Sequence, residues 1–533
     1  MPMMPRSSFV MLAAAWAVLV AIAVWIRPLL PVDETRYVSV AWEMWSRGDF
    51  LVPYLNGEAY SHKPPLLFWL MQAGWWLFGV NEWWPRLIGP LLGLAGLALT
   101  GLVARRLWPQ RPAAEAFAPW LLFGCLFYAG FLTLTQFDLL IVVCTLLGML
   151  GLLRAADGRG SGWLLAGLAL GLGLLSTGPV ILLQLLPAAL LGPLWVDRGR
   201  LRGWHCWYGG LIAAVLLGAA IVLAWALPAA QAGGEAYRQA IFWGQTAERV
   251  VDSFAHQQPF WWYLAWLPAL LLPWTLWPPL WRAAHAAGRG ILRERSVHVL
   301  LCWAVPVVVL MSLVSGKQAK YLLPMFPALA LLAAYWLARL PELRLPRRQW
   351  LASLLLLLPA IVFAVAATQD LGARLHWAGN LQPAWGWLYV LLALLWWLWR
   401  PQSTATALRS LALAGAVLLV ALHLTLLRTA APAYDLRGFG ARLGELQEAG
   451  HPIAHVGKYH AQFHFLGRLR APLAVIDSAA AADWARAHPD GYLILYCEQW
   501  PDWPCADGER VQDYRGDADD LALWPAEKFL AAQ

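Results

Sequence analysis

The chain is dominated by apolar stretches of about 20 residues, bounded by charge or proline clusters, and these leave few folds open. A helix rising about 1.5 Å per residue needs that length to cross a hydrocarbon layer of about 30 Å. Inside hydrocarbon every backbone N–H and C=O must be satisfied within the structure, which a helix achieves by itself. Thirteen such spans are predicted, near residues 9–27, 84–104, 116–132, 136–153, 161–176, 179–196, 206–228, 260–281, 297–314, 321–339, 350–367, 382–399 and 407–427. Of 533 residues, 60% are hydrophobic and 13% charged, which excludes a water-soluble enzyme and predicts an all-α polytopic membrane protein. Between 161–176 and 179–196, Ser176, Thr177, Gly178 and Pro179 either bend one helix or join two short ones; the sequence leaves both readings open.

The net charge of +8 would ordinarily raise nucleic acid as a partner. Divided by side of the membrane it says something else. With the N-terminus inside, the loops on its side carry a net +14, the opposite loops −1 and the tail after residue 427 −5. This asymmetry follows the positive-inside rule, predicts a cytoplasmic N-terminus and an external C-terminus, and leaves no role for nucleic acid. The first apolar stretch runs into Arg27, Pro28 and Pro31 without a small-residue cleavage site, so it reads as a retained span. Many tryptophans, such as Trp75, Trp76, Trp83, Trp84, Trp261, Trp262, Trp396 and Trp397, fall near span ends and read as interfacial anchors.

Residues 1–427 are thus predicted to form a transmembrane unit with two long outer loops, 28–85 and 229–259, and residues 428–533 a small α/β domain outside the membrane. The runs 453–456, 473–476 and 492–496 read as short buried strands and 437–449 and 480–488 as helices. Cys125, Cys144, Cys206 and Cys302 lie in or beside spans and read as packing groups. Cys497 and Cys505 in the tail are either a disulfide, which an oxidising compartment permits, or two free thiols.

In the first outer loop, segments 34–47 and 65–78 have amphipathic spacing and suit helices lying along the interface. Asp33 and Glu34 follow the end of the first span, with Arg36 beside them, a setting for a carboxylate that takes a proton or orients a hydroxyl. Asp33 also reads as the N-cap of that helix. The chain holds five lysines, of which Lys63, Lys317 and Lys320 abut spans on the outer side. They read as point charges for a phosphate or as snorkelling anchors. Asp138 stands in an apolar run, where an acid is costly and marks a functional position by default. The second outer loop offers Tyr237, Arg238, Gln245, Arg249 and His256. The sequence has no glycine-rich phosphate loop, HExxH or serine nucleophile elbow, so phosphate recognition would have to come from side chains.

Seven motifs in order carry a family resemblance: DETRY at 33–37, GD at 48–49 with VPYLNGEAYSHKPPL at 52–66, FGVNEWWPRL at 78–87, Asp138 in its apolar run, LGLGLLSTGPV at 170–180, FWGQ to HQQPFWWY at 242–263, and SGKQAKYLLPMFPALALL at 315–332. Over about residues 9–340 the chain resembles the bacterial aminoarabinose transferases and protein O-mannosyltransferases, membrane glycosyltransferases of the GT-C class. The resemblance implies a polyprenyl-phosphate sugar donor, a site on the periplasmic face of the inner membrane, and a lipid A-like, protein or glycan acceptor. It implies that Asp33 is the catalytic carboxylate, that Lys63 contacts the donor phosphate, that Asp138 lines the site, and that Tyr60, Tyr321 and Lys317 stand near the phosphate. Two positions depart from the pattern. His62 replaces a Glu associated with metal contact, alongside a His matched by His256, and two ligands are too few to specify a divalent metal site. Thr177 replaces the lysine of an LTKGP motif, removing one charge from the phosphate side. A transporter of a lipid or small solute is the rival reading; it would show repeated halves and ionisable groups at the bilayer midplane.

Overall fold

The computed structural model describes residues 6–532 except 202, 244–256, 341–347, 367, 369–375, 498–507 and 516–519. The chain is a helical bundle joined to one mixed sheet. The first elements are α1 (Arg6–Ile26), α2 (Asp33–Arg47), the short hairpin β1 (Tyr54–Leu55) and β2 (Glu58–Ala59), α3 (Leu66–Phe78) and α4 (Trp83–Leu107). There follow α5 (Pro112–Gly124), α6 (Leu126–Phe131), α7 (Asp138–Ala156), α8 (Ser161–Thr177), α9 (Val180–Leu190), α10 (Gly192–Trp195), α11 (Trp204–Ala232) and α12 (Gly234–Gln239). Later helices include Trp262–Leu270, Pro278–Ala287, Arg295–Leu313, Phe326–Arg339, Trp350–Ala366, Trp385–Leu398 and Thr404–Leu422.

Among the described residues seven helices are long and apolar enough to cross a membrane, beginning at Ser7, Trp83, Asp138, Trp204, Arg295, Ala319 and Thr404. Others expected as single crossings are broken. The span 116–132 divides at Cys125, where the extended backbone separates α5 from α6 and the Leu126 N–H donates to Leu272 O at 2.9 Å. The span 260–281 becomes helix Trp262–Leu270, a 3-10 turn at Trp274–Leu276 and helix Pro278–Ala287, because Pro268, Pro273, Pro278 and Pro279 each remove a backbone donor.

Gly178 decides the ambiguous pair. It ends α8 at φ +73°, a conformation glycine adopts freely. A Cβ on Gly173 would stand 2.5 Å from Ile181 Cγ1, an approach that residues eight apart in one straight helix never make, so α9 folds back against α8. Small residues also bring α7 and α8 together: a Cβ on Gly151 would lie 2.7 Å from the Ala166 backbone N. Close backbone approach of this kind is how helices gain packing energy where lipid offers no hydrophobic drive. Leu164, Leu168, Ile212 and Leu216 lie on the outer faces of α8 and α11 and are exposed, as side chains facing lipid are.

The helix Thr404–Leu422 passes through a π-helical turn at His423–Leu427 into Arg428–Tyr434, with no linker at residue 427. Beyond it stand β3 (Ile453–Val456), β4 (Ala474–Ile476), β5 (Tyr492–Tyr496), β6 (Arg510–Gln512) and β7 (Leu521–Pro525), in the order β4-β3-β5-β7-β6. β3 pairs in parallel with β4 and β5, while β7 runs antiparallel to β5 and β6. The helices Arg437–Glu448 and Ala481–Ala487 lie where the pattern predicts them. β4 is an edge strand and not buried, in contrast to the sequence expectation, whereas β3 is buried at every position. Cys497 is disulfide-bonded; Cys505 lies outside the described residues.

The amphipathic helix α2 is not half-exposed at an interface as expected. It is buried continuously from Tyr37 to Met44, because the segment after β3 covers the face turned away from the bundle. Trp42 donates its indole N–H to Leu469 O at 2.8 Å, and the Phe465 N–H donates to Ser39 Oγ at 3.1 Å. Trp75, expected as an interfacial anchor, is buried in that contact and stacks on Phe465 with centroids 5.4 Å apart.

Candidate active site

Two acids stand side by side at the start of α2 and meet different neighbours. Glu34 is 1% exposed and paired with Arg27, the last residue before the Pro28 turn. Its Oε1 also accepts from the Thr135 N–H at 2.5 Å and its Oε2 from the Leu30 N–H at 2.8 Å. Arg27 reaches the Thr133 carbonyl as well, and Arg86 donates to the Arg27 carbonyl and at 3.3 Å to the Ala23 carbonyl. Burial raises the Glu34 pKa; the Arg27 charge and the hydrogen bonds outweigh it and hold the carboxyl below its ordinary value. Glu34, read from sequence with the catalytic acids, therefore has its oxygens occupied. It ties the end of α1, the start of α2 and the loop 133–135 together.

Asp33 faces outward, 39% exposed, paired with Arg36 and 3.6 Å from Lys320 Nζ. Lys320 also donates to Gln136 Oε1 at 3.3 Å. Asp138, the first residue of α7, lies within electrostatic reach of Lys320, Lys63 and Asp33. Lys63 Nζ lies 5.3 Å from the Phe137 ring centroid. Phe137 packs edge-on to Tyr37 at 5.0 Å and to Phe68 at 5.6 Å, and Tyr60 packs on Phe68 at 6.4 Å. An aromatic floor thus carries two carboxylates and three cations, drawn from α2, the loop 60–65, the start of α7 and the turn at 320. Tyr37 completes the floor and was not read from sequence, although it lies one turn after Asp33 on the same helix. Burial is the largest cause that raises the Tyr37 hydroxyl above its ordinary pKa, with Asp33 adding to it, and the Arg36 guanidinium donates to this hydroxyl.

The remaining candidates have contacts of their own. Lys317 is buried and donates to Gln258 O at 2.9 Å and Val314 O at 2.6 Å, which fastens the Gln257–Gly316 bridge in place of facing Asp33. Burial depresses its ammonium pKa. The Tyr321 carbonyl accepts from Gln184 at 3.1 Å, and its ring packs against the helical core. Arg238 is exposed on α12 and pairs with Glu235 at 2.8 Å. His62 is exposed, tilted 5.3 Å from Tyr60, and His256 lies outside the described residues. Among the described residues, the one group of three His or acidic side chains close enough to share an ion is His376, Asp513 and Asp520, none of them in the Asp33 cluster.

The fold matches that of a solved structure. ArnT from Cupriavidus metallidurans bound to undecaprenyl phosphate superposes with a TM-score of 0.74 at 20% identity, covering 96% of each chain. The fold is that of ArnT. Its apo structure gives a TM-score of 0.72 at 19% identity over 98% of each chain. In sequence, the chain is 33% identical over 315 residues to the undecaprenyl phosphate-alpha-4-amino-4-deoxy-L-arabinose arabinosyl transferase of Edwardsiella ictaluri, 58% of this chain and 55% of that one. The namesake from Erwinia tasmaniensis is 33% identical over 322 residues, 58% and 56% of the two chains. The chain thus spans little more than half the length of the curated relatives it matches. The family described as dolichyl-phosphate-mannose-protein mannosyltransferase matches residues 62–225. The resemblance carried by the seven motifs is the one these comparisons find: the chain is similar to membrane glycosyltransferases of the GT-C class in both sequence and fold.

Proposed function

We propose that this chain is an integral membrane glycosyltransferase that moves a sugar from a polyprenyl-phosphate donor to a lipid A-like, protein or glycan acceptor on the periplasmic face of a bacterial inner membrane. The observation that carries the reading is the cluster itself: Asp33 and Asp138 beside Arg36, Lys63 and Lys320, at the ends of apolar helices. A transporter would need its ionisable groups deeper in the bilayer.

In the reaction, an acceptor oxygen attacks the sugar carbon as the bond from that carbon to the phosphate oxygen breaks, inverting the centre. The lipid phosphate leaves with both electrons of that bond. Lys63, Arg36 and Lys320 stabilise its growing charge by interactions already in place before the reaction, typically worth a few kcal/mol per donor. Asp33, the partly exposed acid, orients the acceptor hydroxyl or phosphate or takes its proton, a contribution on the order of 10²–10⁴-fold. Asp138 holds Lys63 and Lys320 toward the phosphate, and Glu34 positions the loop that precedes Asp138. Residues 428–533 form the periplasmic α/β unit, and residues 1–427 the thirteen-crossing membrane unit with a cytoplasmic N-terminus.

The test is transfer by the full chain in nanodiscs, supplied with a labelled polyprenyl-phosphate sugar and lipid A. Asp33→Asn abolishes transfer while insertion and thermal stability persist. Near wild-type turnover in that variant would overturn the assignment.

A further inference from the structure

Two carboxylates meet across the β6–β7 hairpin, away from the Asp33 cluster. The strands pair antiparallel with Gln512 opposite Leu521, so the next facing pair along the hairpin is Asp513 and Asp520. Like charges directly opposite one another destabilise a strand pair, and a cation between them reverses the sign. Backbone contacts hold the hairpin in place. The disulfide-bonded Cys497 donates its N–H to Asp520 O at 2.8 Å. Gln512 Nε2 donates to Asp435 O at 2.6 Å and the Arg515 N–H to Ala433 O at 2.8 Å, which seats the hairpin against the end of helix Arg428–Tyr434. The 3-10 turn His376–Asn380, in the loop between helices Trp350–Ala366 and Trp385–Leu398, packs against that same helix. Its first residue completes a group: a ring nitrogen of His376 and one carboxylate oxygen from each of Asp513 and Asp520 lie within 4.8 Å of one another.

Asp520 Oδ1 is buried and accepts no hydrogen bond from the described residues. A carboxylate oxygen in that position has given up water without replacement, and a coordinated ion supplies the missing partner. One imidazole and two carboxylates suit Zn²⁺ and its transition-metal neighbours, whereas Mg²⁺ and Ca²⁺ take oxygen donors. Bonds of about 2.0–2.2 Å to a tetrahedral ion set its donors about 3.3–3.6 Å apart, which these side chains reach by closing about 1 Å. His376 is exposed, so water reaches the remaining position. We propose that His376, Asp513 and Asp520 bind a divalent transition cation, Zn²⁺ before others, and that the ion fastens the loop at 376–380 to the sheet. No step of sugar transfer runs through this site.

The experiment uses the full chain, free of any affinity tag, in nanodiscs, stripped with a chelator and then titrated with Zn²⁺. The melting temperature of the wild-type chain rises with Zn²⁺ concentration, as binding to the folded state alone requires. His376→Ala, Asp513→Asn and Asp520→Asn each weaken the binding more than about hundredfold, beyond what loss of a ligand's supporting partner costs, and remove one bound metal per chain in elemental analysis. His62→Ala leaves that metal in place. Because His376 is exposed, His376→Ala keeps the metal-free melting of the wild type, and its lost response to Zn²⁺ reports the ligand and not the fold. A wild-type chain whose melting and metal content ignore Zn²⁺ overturns the proposal, as does a response that the three variants retain. Stabilisation by Ca²⁺ or Mg²⁺ and not by Zn²⁺ overturns the assignment to a transition cation.

Discussion

Asp33 and Glu34 are chemically near-identical neighbours, and the structure gives them opposite environments. Glu34 points into the bundle, where Arg27 and two backbone N–H groups fill its oxygens. Asp33 points out of it, 39% exposed, toward Arg36 and Lys320. On a helix, successive side chains point about 100° apart, so one residue of offset separates an anchor from a reactive group. A buried acid whose acceptor capacity is spent holds structure. A partly exposed one facing spare cations has charge left for a substrate.

Substitutions should break this contrast in order of size. Asp33→Asn costs transfer the full general-base contribution, on the order of 10²–10⁴-fold, with little effect on melting, as paired turnover and thermal-shift measurements would show. Glu34→Gln does the reverse. It leaves Arg27 buried without its counter-charge, lowering stability by about 3–5 kcal/mol, and Arg27→Gln in the same chain recovers part of the loss. A Glu34→Gln chain with unchanged melting but no activity would instead make Glu34 catalytic. Lys320→Ala lowers turnover on the order of tenfold to hundredfold. Lys317→Ala strands two carbonyls and costs about 1–3 kcal/mol of stability with turnover within about threefold; if the two lysines exchanged effects, the geometry of the turn at 316–320 would be read wrongly.

A smaller effect sharpens the comparison between bundle and sheet. Burial pushes the His464 pKa down to about 3 and the His455 pKa down to about 4, whereas both titrate near 6.5 when unfolded. Between those values the unfolded chain binds more protons, so stability rises with pH and is lost as pH falls below about 6.5 toward 4. Burial likewise raises Glu43, so its 3.8 Å contact with His464 joins two groups driven toward their neutral forms. Hydrogen exchange at decreasing pH should show residues 453–469 opening before α4 and α7; simultaneous opening would mean that the sheet and bundle melt as one unit.

Much of this was legible in the sequence. Helices at 33–47 and 66–78, strands at 453–456 and 492–496, and the candidate pairing of Asp33 with Arg36 follow from local spacing. The interruption at Cys125 was not legible, because a broken apolar run has the same hydrophobicity as a continuous one, whereas the break near Pro273 had its prolines as a signal that the span reading of 260–281 did not use. β6 and β7 escaped because a three-residue strand at 510–512 has too little pattern, and 521–525 gains its buried character from β5. Lys317, Tyr321 and Arg238 looked like Lys63 by charge or position, and only packing separates a lysine that holds carbonyls from one that remains near an acid.

By itself the sequence determined that most of this chain lies in a membrane, since about 20 apolar residues in a row leave the backbone no other economical solution there. Charge asymmetry gave its expected orientation, and seven motifs gave its resemblance. Tertiary structure alone decided which cations meet Asp33. Residues 33, 63, 138 and 320 are separated by tens to hundreds of positions, and nothing in local spacing brings them together. Their meeting depends on nonlocal contacts: the Glu34 clamp between α1, α2 and the 133–135 loop, and the docking of the 459–469 segment along α2.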